Sequence, residues 1–130
     1  MIPSGTLRLR MGLHDTHYEG GLIPAATMLR LFADCSSELG IRMDGVDGYL
    51  AAYESAEFLQ PVYAGDYVEI TAELVKKGNR SRRISIVATR SVRAKVLGDG
   101  LGGGEVVDPP EVVGRAILIA VVPKQEPAVV

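Results

Sequence analysis

At 130 residues, 47% hydrophobic and 23% charged, the chain has the size and make-up of one soluble globular domain, which leaves no room for a second domain and is inconsistent with wholesale disorder. A formal net charge of -2 argues against a dedicated nucleic-acid binder, and the single cysteine, Cys35, excludes both an intrachain disulfide and a cysteine-based zinc site, so a reducing, cytoplasmic setting is the default. No run of about 18 uncharged apolar residues occurs, and the first residues lack a charged start followed by an apolar stretch; neither membrane insertion nor export is expected.

From Thr6 to Leu13, Leu7, Leu9, Met11 and Leu13 alternate with Arg8 and Arg10, the period of a half-buried strand. A polar, glycine-bearing stretch, His14 to Gly21, leads into a segment dense in helix formers. The predicted helix runs from Pro24 to Leu39 and is closed by Gly40, because proline suits a first turn and glycine an exit. Within it Met28, Phe32, Cys35 and Leu39 recur at steps of four, three and four, which makes one face a core stripe. After a turn at Asp44-Gly45-Val46-Asp47-Gly48 the chain reads as strands at Tyr49–Leu59, Tyr67–Lys77, Ser81–Val96 and Val112–Val122. The run Gly98 to Gly104 leads to no helix that could receive a phosphate, so it is expected to be a flexible connection. The domain is expected to span 1–123, with 124–130 a flexible tail.

One strand, one long helix and four further antiparallel strands form an α+β order in which a curled sheet can wrap and bury a single central helix, the hotdog arrangement. A lone protomer would leave one sheet edge and one side of the helix start uncovered. At least a homodimer is therefore expected.

Several short motifs, taken in order, point to one family. These are Met11 with Asp15-Thr16-His17-Tyr18-Glu19-Gly20, Leu31-Phe32-Ala33-Asp34 with Glu38-Leu39, Glu57-Phe58 with Pro61-Val62-Tyr63-Ala64-Gly65-Asp66, Gly78-Asn79 with Ser81, and Pro109-Pro110 with Gly114-Arg115-Ala116. Together they span nearly the whole chain and resemble the hotdog-fold ammonia lyases that act on β-alanyl-CoA and 3-aminobutyryl-CoA. The resemblance implies reversible loss of ammonia from a 3-aminoacyl-CoA, with 3-aminobutyryl-CoA preferred, as in amino-acid fermentation and lysine degradation. It also implies a hexamer built as a trimer of dimers, and no cofactor beyond the coenzyme A of the substrate. The chain departs from the family pattern at Gly21, where an asparagine is expected, and at Ile23-Pro24-Ala25-Ala26, which replaces a more polar stretch beside the acyl pocket.

Such a reaction needs a base for the α-proton, donors for the enolate-like charge on the thioester oxygen, and proton control at the amine. The helix start offers unpaired N–H groups and a positive dipole end, with Leu22, Ile23 or Ala25 as donors because Pro24 has none. Gly20 and Gly21 would allow thioester and backbone to approach closely, unless they are an ordinary loop-to-helix pair. Asp34 has Arg30 and Glu38 one turn away on either side, a spacing that also fits a solvated stripe; it matches the family pattern, as does Glu38, and Leu31 and Phe32 would raise its pKa if they shield it from water. Glu57 would share one strand face with Tyr53, Ser55 and Leu59, while Glu54 alternates with Ala56 and Phe58 on the other. Asp34 and Glu57 are the chosen pair of carboxylates, Glu57 having as its plainer alternatives a solvent-facing edge position or a pairing with Arg8 or Arg10.

His17 and Tyr18 can orient a carbonyl or an amine, and His17 can carry a proton near neutral pH; His14 reads as surface. With two histidines and scattered carboxylates, no metal site is expected. Lys76, Lys77, Arg80, Arg82 and Arg83 cluster around the turn Gly78-Asn79, where the arginines would grip the phosphates of coenzyme A or simply protect a sheet edge. An acyl-CoA thioesterase and a non-catalytic acyl-CoA-binding subunit remain as rival functions.

Overall fold

The computed structural model describes residues 3–15, 19–98, 100 and 102–124; His17, Tyr18 and the tail 125–130 lie outside the described residues, as do Asp99 and Leu101 of the glycine run. Five strands, β1 (Ser4–Arg10), β2 (Tyr49–Phe58), β3 (Tyr67–Lys77), β4 (Ser81–Val96) and β5 (Gly102–Val121), form one antiparallel sheet in the order β1-β3-β4-β5-β2. A single α-helix, α1 (Ala25–Asp44), lies against it. This is the expected hotdog architecture.

The stripe read from the helix is the core: Met28, Phe32, Cys35 and Leu39 are all buried, joined by Leu31, and they face Ile70, Ala72, Ile84, Ile86, Ala88 and Leu118 of the sheet. Over Val68–Ala72 and Arg82–Arg90 the strands alternate buried positions with half-buried or exposed ones, as expected where one face meets a helix and the other does not. The Cys35 thiol, wholly buried, reaches the carbonyls of Gly5 (3.5 Å) and Ile70 (3.4 Å), and burial pushes its pKa up to about 11.

Three boundaries differ from the sequence reading, each for a local reason. The first strand ends at Arg10 instead of Leu13, because the main chain of Met11 pairs with a turn: its N–H donates to the Asp66 carbonyl (2.9 Å) and its carbonyl accepts from Gly65 (2.7 Å). Leu13 is left 78% exposed. The helix passes through Gly40 and stops at Gly45, which takes the left-handed conformation (φ +74°) and donates its N–H to the Ile41 carbonyl at 2.9 Å. Pro24 is the residue that precedes the helix, not its first turn. The extra turn is held because Arg82, almost wholly buried, forks onto Asp44 with bonds of 3.0 and 2.9 Å, holding that carboxyl below the usual aspartate range.

The third difference concerns the glycine run. Gly102, Gly103 and Gly104 pair with Val96, Lys95 and Ala94, so β5 begins ten residues before Val112 and the expected flexible connection is shorter than the sequence indicated. The long β4 supplies a ladder to which those glycines add. Between Arg90 and Val92 on β4 the partner residue on β5 jumps from Glu111 to Val106. The displaced residues of β5 include Pro109 and Pro110, which lack the N–H a ladder requires.

At the open end of the sheet, Asp66 is fully buried and takes bonds from the Tyr63 N–H (2.9 Å), the Ala94 N–H (2.7 Å) and Arg90 Nη1 (2.9 Å). Arg90 is also buried and donates to the Pro61 carbonyl (2.7 Å) and to Glu111 (2.7 Å). Replacing Arg90 by Met would leave Asp66 charged and unpaired in the interior, so Arg90→Met should destabilise the fold by about 3–5 kcal/mol, read as a lower denaturant midpoint. A loss below about 1 kcal/mol would show that the pair is dispensable.

Candidate functional site

The segment before the helix is shaped by two glycines. Glu19–Gly21 forms a tight turn kinked at Gly20, in which Gly20 (φ +85°) and Gly21 (φ +75°) both hold left-handed conformations that side chains with a Cβ rarely adopt. The chain then forms an antiparallel bridge, Leu22 opposite Tyr63, with Ile23 N–H donating to Val62 and Ala64 N–H to Gly21, each at 2.8 Å. The Pro61–Asp66 turn, held from behind by Asp66 and Arg90, therefore fixes where the helix begins.

This bridge corrects the expected donor set. The Ile23 N–H already has an acceptor, so it is not an oxyanion donor. Because Pro24 precedes the helix and its carbonyl accepts from Thr27 (3.0 Å), the first-turn donors without an intrahelical acceptor are those of Ala25 and Ala26, both exposed residues. Ala26 was missed because the sequence reading counted Pro24 as helical. Beside this start lies a mainly apolar cleft of about 140 Å³, walled by Ile23, Met28, Phe58, Val62 and Val113, with Gln60 the polar side chain in its wall. The Phe58 ring stacks on Phe32 with centroids 6.3 Å apart. An open helix end beside a small apolar cleft can hold a polar carbonyl and a short acyl chain together.

The carboxylates are placed less as expected. Asp34 pairs with Arg30 at 3.3 Å and its side chain is 54% exposed, while Leu31 and Phe32 point into the core and do not shield it. Glu38 pairs with Arg42 (3.1 Å) and accepts the Thr6 N–H (3.3 Å), contacts that tie the helix to β1. Beside Asp34 lies Tyr53, unforeseen in the sequence: its hydroxyl donates to the Leu29 carbonyl at 2.6 Å, and its pKa is pushed up to about 12 by burial first and by the Asp34 charge second. A tyrosine among small residues in a strand gave little signal.

Glu57 lies directly opposite Arg115 on β5 and receives two bonds from it, 3.0 and 3.2 Å, so its partner is neither Arg8 nor Arg10. That hydrogen bonding, followed by the arginine's charge, holds the Glu57 carboxyl below the usual range. A register shift between Tyr53 and Ser55 breaks the strict alternation assumed for β2. Tyr53 and Ala56 pack toward the core with Leu118 and Ala116 opposite them, and Glu57 and Arg115 occupy the other face. Within one protomer the sheet thus separates Asp34 from Glu57.

The arginine hairpin is also redistributed. Arg82 is buried and bound to Asp44 and to the carbonyls of Gly78 and Ser81, which withdraws it from any surface grip. Arg80 donates to the Val122 carbonyl (3.1 Å) and Arg83 to Glu54 (2.6 Å), both at the surface. Among the described residues no cluster of His, Cys, Asp and Glu could hold a metal ion.

No protein-family model matches the chain. It is 40% identical over 121 residues to a 3-aminobutyryl-CoA ammonia lyase of Acetoanaerobium sticklandii, covering 92% of this chain and 94% of that protein. Its fold superposes on the β-alanyl-CoA:ammonia lyase of Clostridium propionicum with a TM-score of 0.85, at 26% identity over 92% of this chain and 84% of that one. A hexameric thioesterase of Yersinia pestis shares the fold, with a TM-score of 0.73 and 18% identity over 91% and 85% of the two chains.

The Glu57–Arg115 pair is open to direct measurement. A depressed carboxyl contributes stability that is present in full above the ordinary glutamate pKa and is lost as pH falls through its lower folded-state value. Carboxyl-carbon NMR should therefore give Glu57 a midpoint below ordinary glutamate, rising toward it in Arg115→Gln. An ordinary midpoint in the unaltered protein would mean that the pair does not persist in solution.

Proposed function

Because the chain belongs to the hotdog-fold 3-aminoacyl-CoA ammonia lyases, a family of carbon–nitrogen lyases, we propose that it interconverts 3-aminobutyryl-CoA with crotonyl-CoA and ammonia. The observation that carries this choice of substrate is the 40% identity, over nearly the whole of both chains, to a protein that acts on 3-aminobutyryl-CoA. The apolar cleft fits it: Ile23, Met28 and Val62 suit the methyl group that distinguishes the four-carbon acyl chain from β-alanyl.

In the forward direction a carboxylate removes the α-proton, the resulting electron pair is delocalised onto the thioester oxygen, and the Cα=Cβ bond forms as the C–N bond breaks and ammonia leaves. The N–H groups of Ala25 and Ala26 at the positive end of the helix would stabilise the oxygen; losing one such donor typically costs about 10²–10³ in rate. Leu22, Gly20 and Gly21 shape the backbone against which the thioester lies. We assign proton transfer at the α-carbon to Asp34, and to Glu57, kept ionised by Arg115, the holding of the ammonium group. His17 and Tyr18 are assigned to the orientation of the carbonyl and amine.

We propose that the same geometry calls for assembly. Asp34 lies nine residues beyond Ala25, about 14 Å along the helix at 1.5 Å per residue, farther than its side chain can reach. A thioester at one helix start would therefore meet the Asp34 of a second protomer. We take a dimer as the minimal functional unit, and the hexamer described for the Yersinia pestis thioesterase as the assembly that such dimers would build. The reaction is read as needing no cofactor beyond the coenzyme A of the substrate, since the thioester itself acidifies the α-proton. A cytoplasmic role in amino-acid fermentation, lysine degradation in the first instance, is the setting that a crotonyl-CoA product suggests.

Mixing the protein with crotonyl-CoA and an ammonium salt should bleach the enoyl absorbance with no release of free thiol. Thiol release would instead mark a thioesterase, and bound coenzyme with neither change a binding subunit. Asp34→Asn and Glu57→Gln should each lower turnover at least about 10²-fold while the oligomer keeps its size. Two fully active variants would remove both carboxylates from the mechanism.

A further inference from the structure

The redistribution of the arginine hairpin leaves the phosphates of coenzyme A without an obvious grip near the thioester. Arg82 binds Asp44, the last residue of the helix, whereas Gly20 to Ile23 lie at its first; twenty helical residues separate the two ends by about 30 Å. A second group of cations stands at the correct end. An open cleft of about 450 Å³ has Gly20 as part of its wall and is lined by Arg10, Arg93 and Lys95. Among the described residues that line it there is no carboxylate.

Two strands, β1 and β4, bring these cations together. Arg10 ends β1 with its guanidinium 5.6 Å from the centroid of the Tyr67 ring, and one of its Nη atoms lies 3.9 Å from where a Cβ on Gly65 would sit. Lys95 stands on β4 opposite Gly103. Arg93 is partly neutralised by Glu111 (2.9 Å) and more loosely by Glu105 (3.9 Å), so the cleft's free attraction for an anion rests chiefly on Arg10 and Lys95. The rest of the wall is mostly small, Gly20, Ala64, Gly65, Ala94, Gly102 and Gly103, with Tyr63 and Val96 its two larger residues. Gly65 admits nothing larger, since its φ is +93° and a Cβ would lie 2.9 Å from that of Ala94. Small walls let a bulky polyanion approach the backbone, and an arginine fork with a mobile lysine is a pairing suited to phosphoryl oxygens.

We propose that the cleft between the Gly20 turn, the end of β1 and the outer half of β4 holds the phosphoryl groups at the nucleotide end of the coenzyme A thioester, through Arg10 and Lys95. The proposal rests on the acyl-CoA reading of the site. It gives the substrate one continuous course: phosphates against Arg10 and Lys95, the pantetheine arm over Gly20 and Gly21, and the acyl group in the cleft beside Met28 and Phe58.

The test compares each crotonyl-CoA turnover with that of crotonyl-pantetheine, which keeps the acyl group and the arm but lacks the nucleotide phosphates. In Arg10→Gln and in Lys95→Gln the preference for the CoA substrate, as a ratio of kcat/KM values, should fall roughly ten-fold, the loss of one charge-assisted contact. An unaltered ratio in both variants overturns the proposal. So does a ten-fold fall in Arg80→Gln or Arg83→Gln with none in Arg10→Gln and Lys95→Gln, which would return the phosphates to the hairpin. Calorimetric affinities for coenzyme A and pantetheine give the same ratio without turnover. A protein that shows the ratio in binding yet aminates neither substrate would reject the reaction and keep the phosphate site.

Discussion

The ion pair between Asp66 and Arg90 is the constraint on which the site depends. Neither side chain touches the segment that would bind a thioester, yet between them they hold the carbonyl of Pro61, the N–H of Tyr63 and the N–H of Ala94, and so join a turn to the middle of β4. The turn in turn supplies the acceptor for Ile23, the donor for Gly21 and both partners of Met11. The position of the helix start is thus set by main-chain bonds whose geometry follows from two buried charges. Buried charges of this kind are a demanding way to build a turn, since each must find several partners. Here Asp66 has three, and Arg90 adds a carbonyl and Glu111.

Much of this was legible in the sequence because it depends on period and punctuation. The stripe Met28, Phe32, Cys35, Leu39 identified the buried face of α1, and the alternation in Leu7 and Leu9 located the first strand. What was not legible depended on partners distant along the chain. Gly40 looked like a helix end because the sequence does not show that Arg82 would reach across from β4 to secure Asp44. The glycine run looked like a loose connection because a ladder with Val92–Val96 is invisible until the strands are laid side by side. Tyr53 and Glu57 were grouped on one face by simple alternation, and a single bulge separated them.

The site followed the same division. Gly20 and Gly21 stand out by residue type, and both take positive backbone φ angles that favour glycine. The donors at the helix start shifted by a residue because the helix did. The charged residues were least predictable: Glu57 chose Arg115, Glu38 chose Arg42, and Arg82 turned inward, since an ion pair is decided by distances in space and the sequence shows only spacing along the chain. The class of reaction was legible in the joint order of the short motifs, and the 40% identity to the Acetoanaerobium sticklandii lyase shows it, where the fold alone does not.

Cys35 bears on that chemistry from the opposite direction. A thioester is an acyl donor, and any accessible thiolate in an enzyme that binds one is open to transacylation, which would strand the acyl group on the protein and release free coenzyme A. The only thiol in this chain is wholly buried beneath β1 and β3, with a pKa of about 11 that keeps it protonated at neutral pH. The protein therefore offers its substrate no competing sulfur. The acyl group of such a substrate can be altered along its carbon chain and leave on the same sulfur that carried it in.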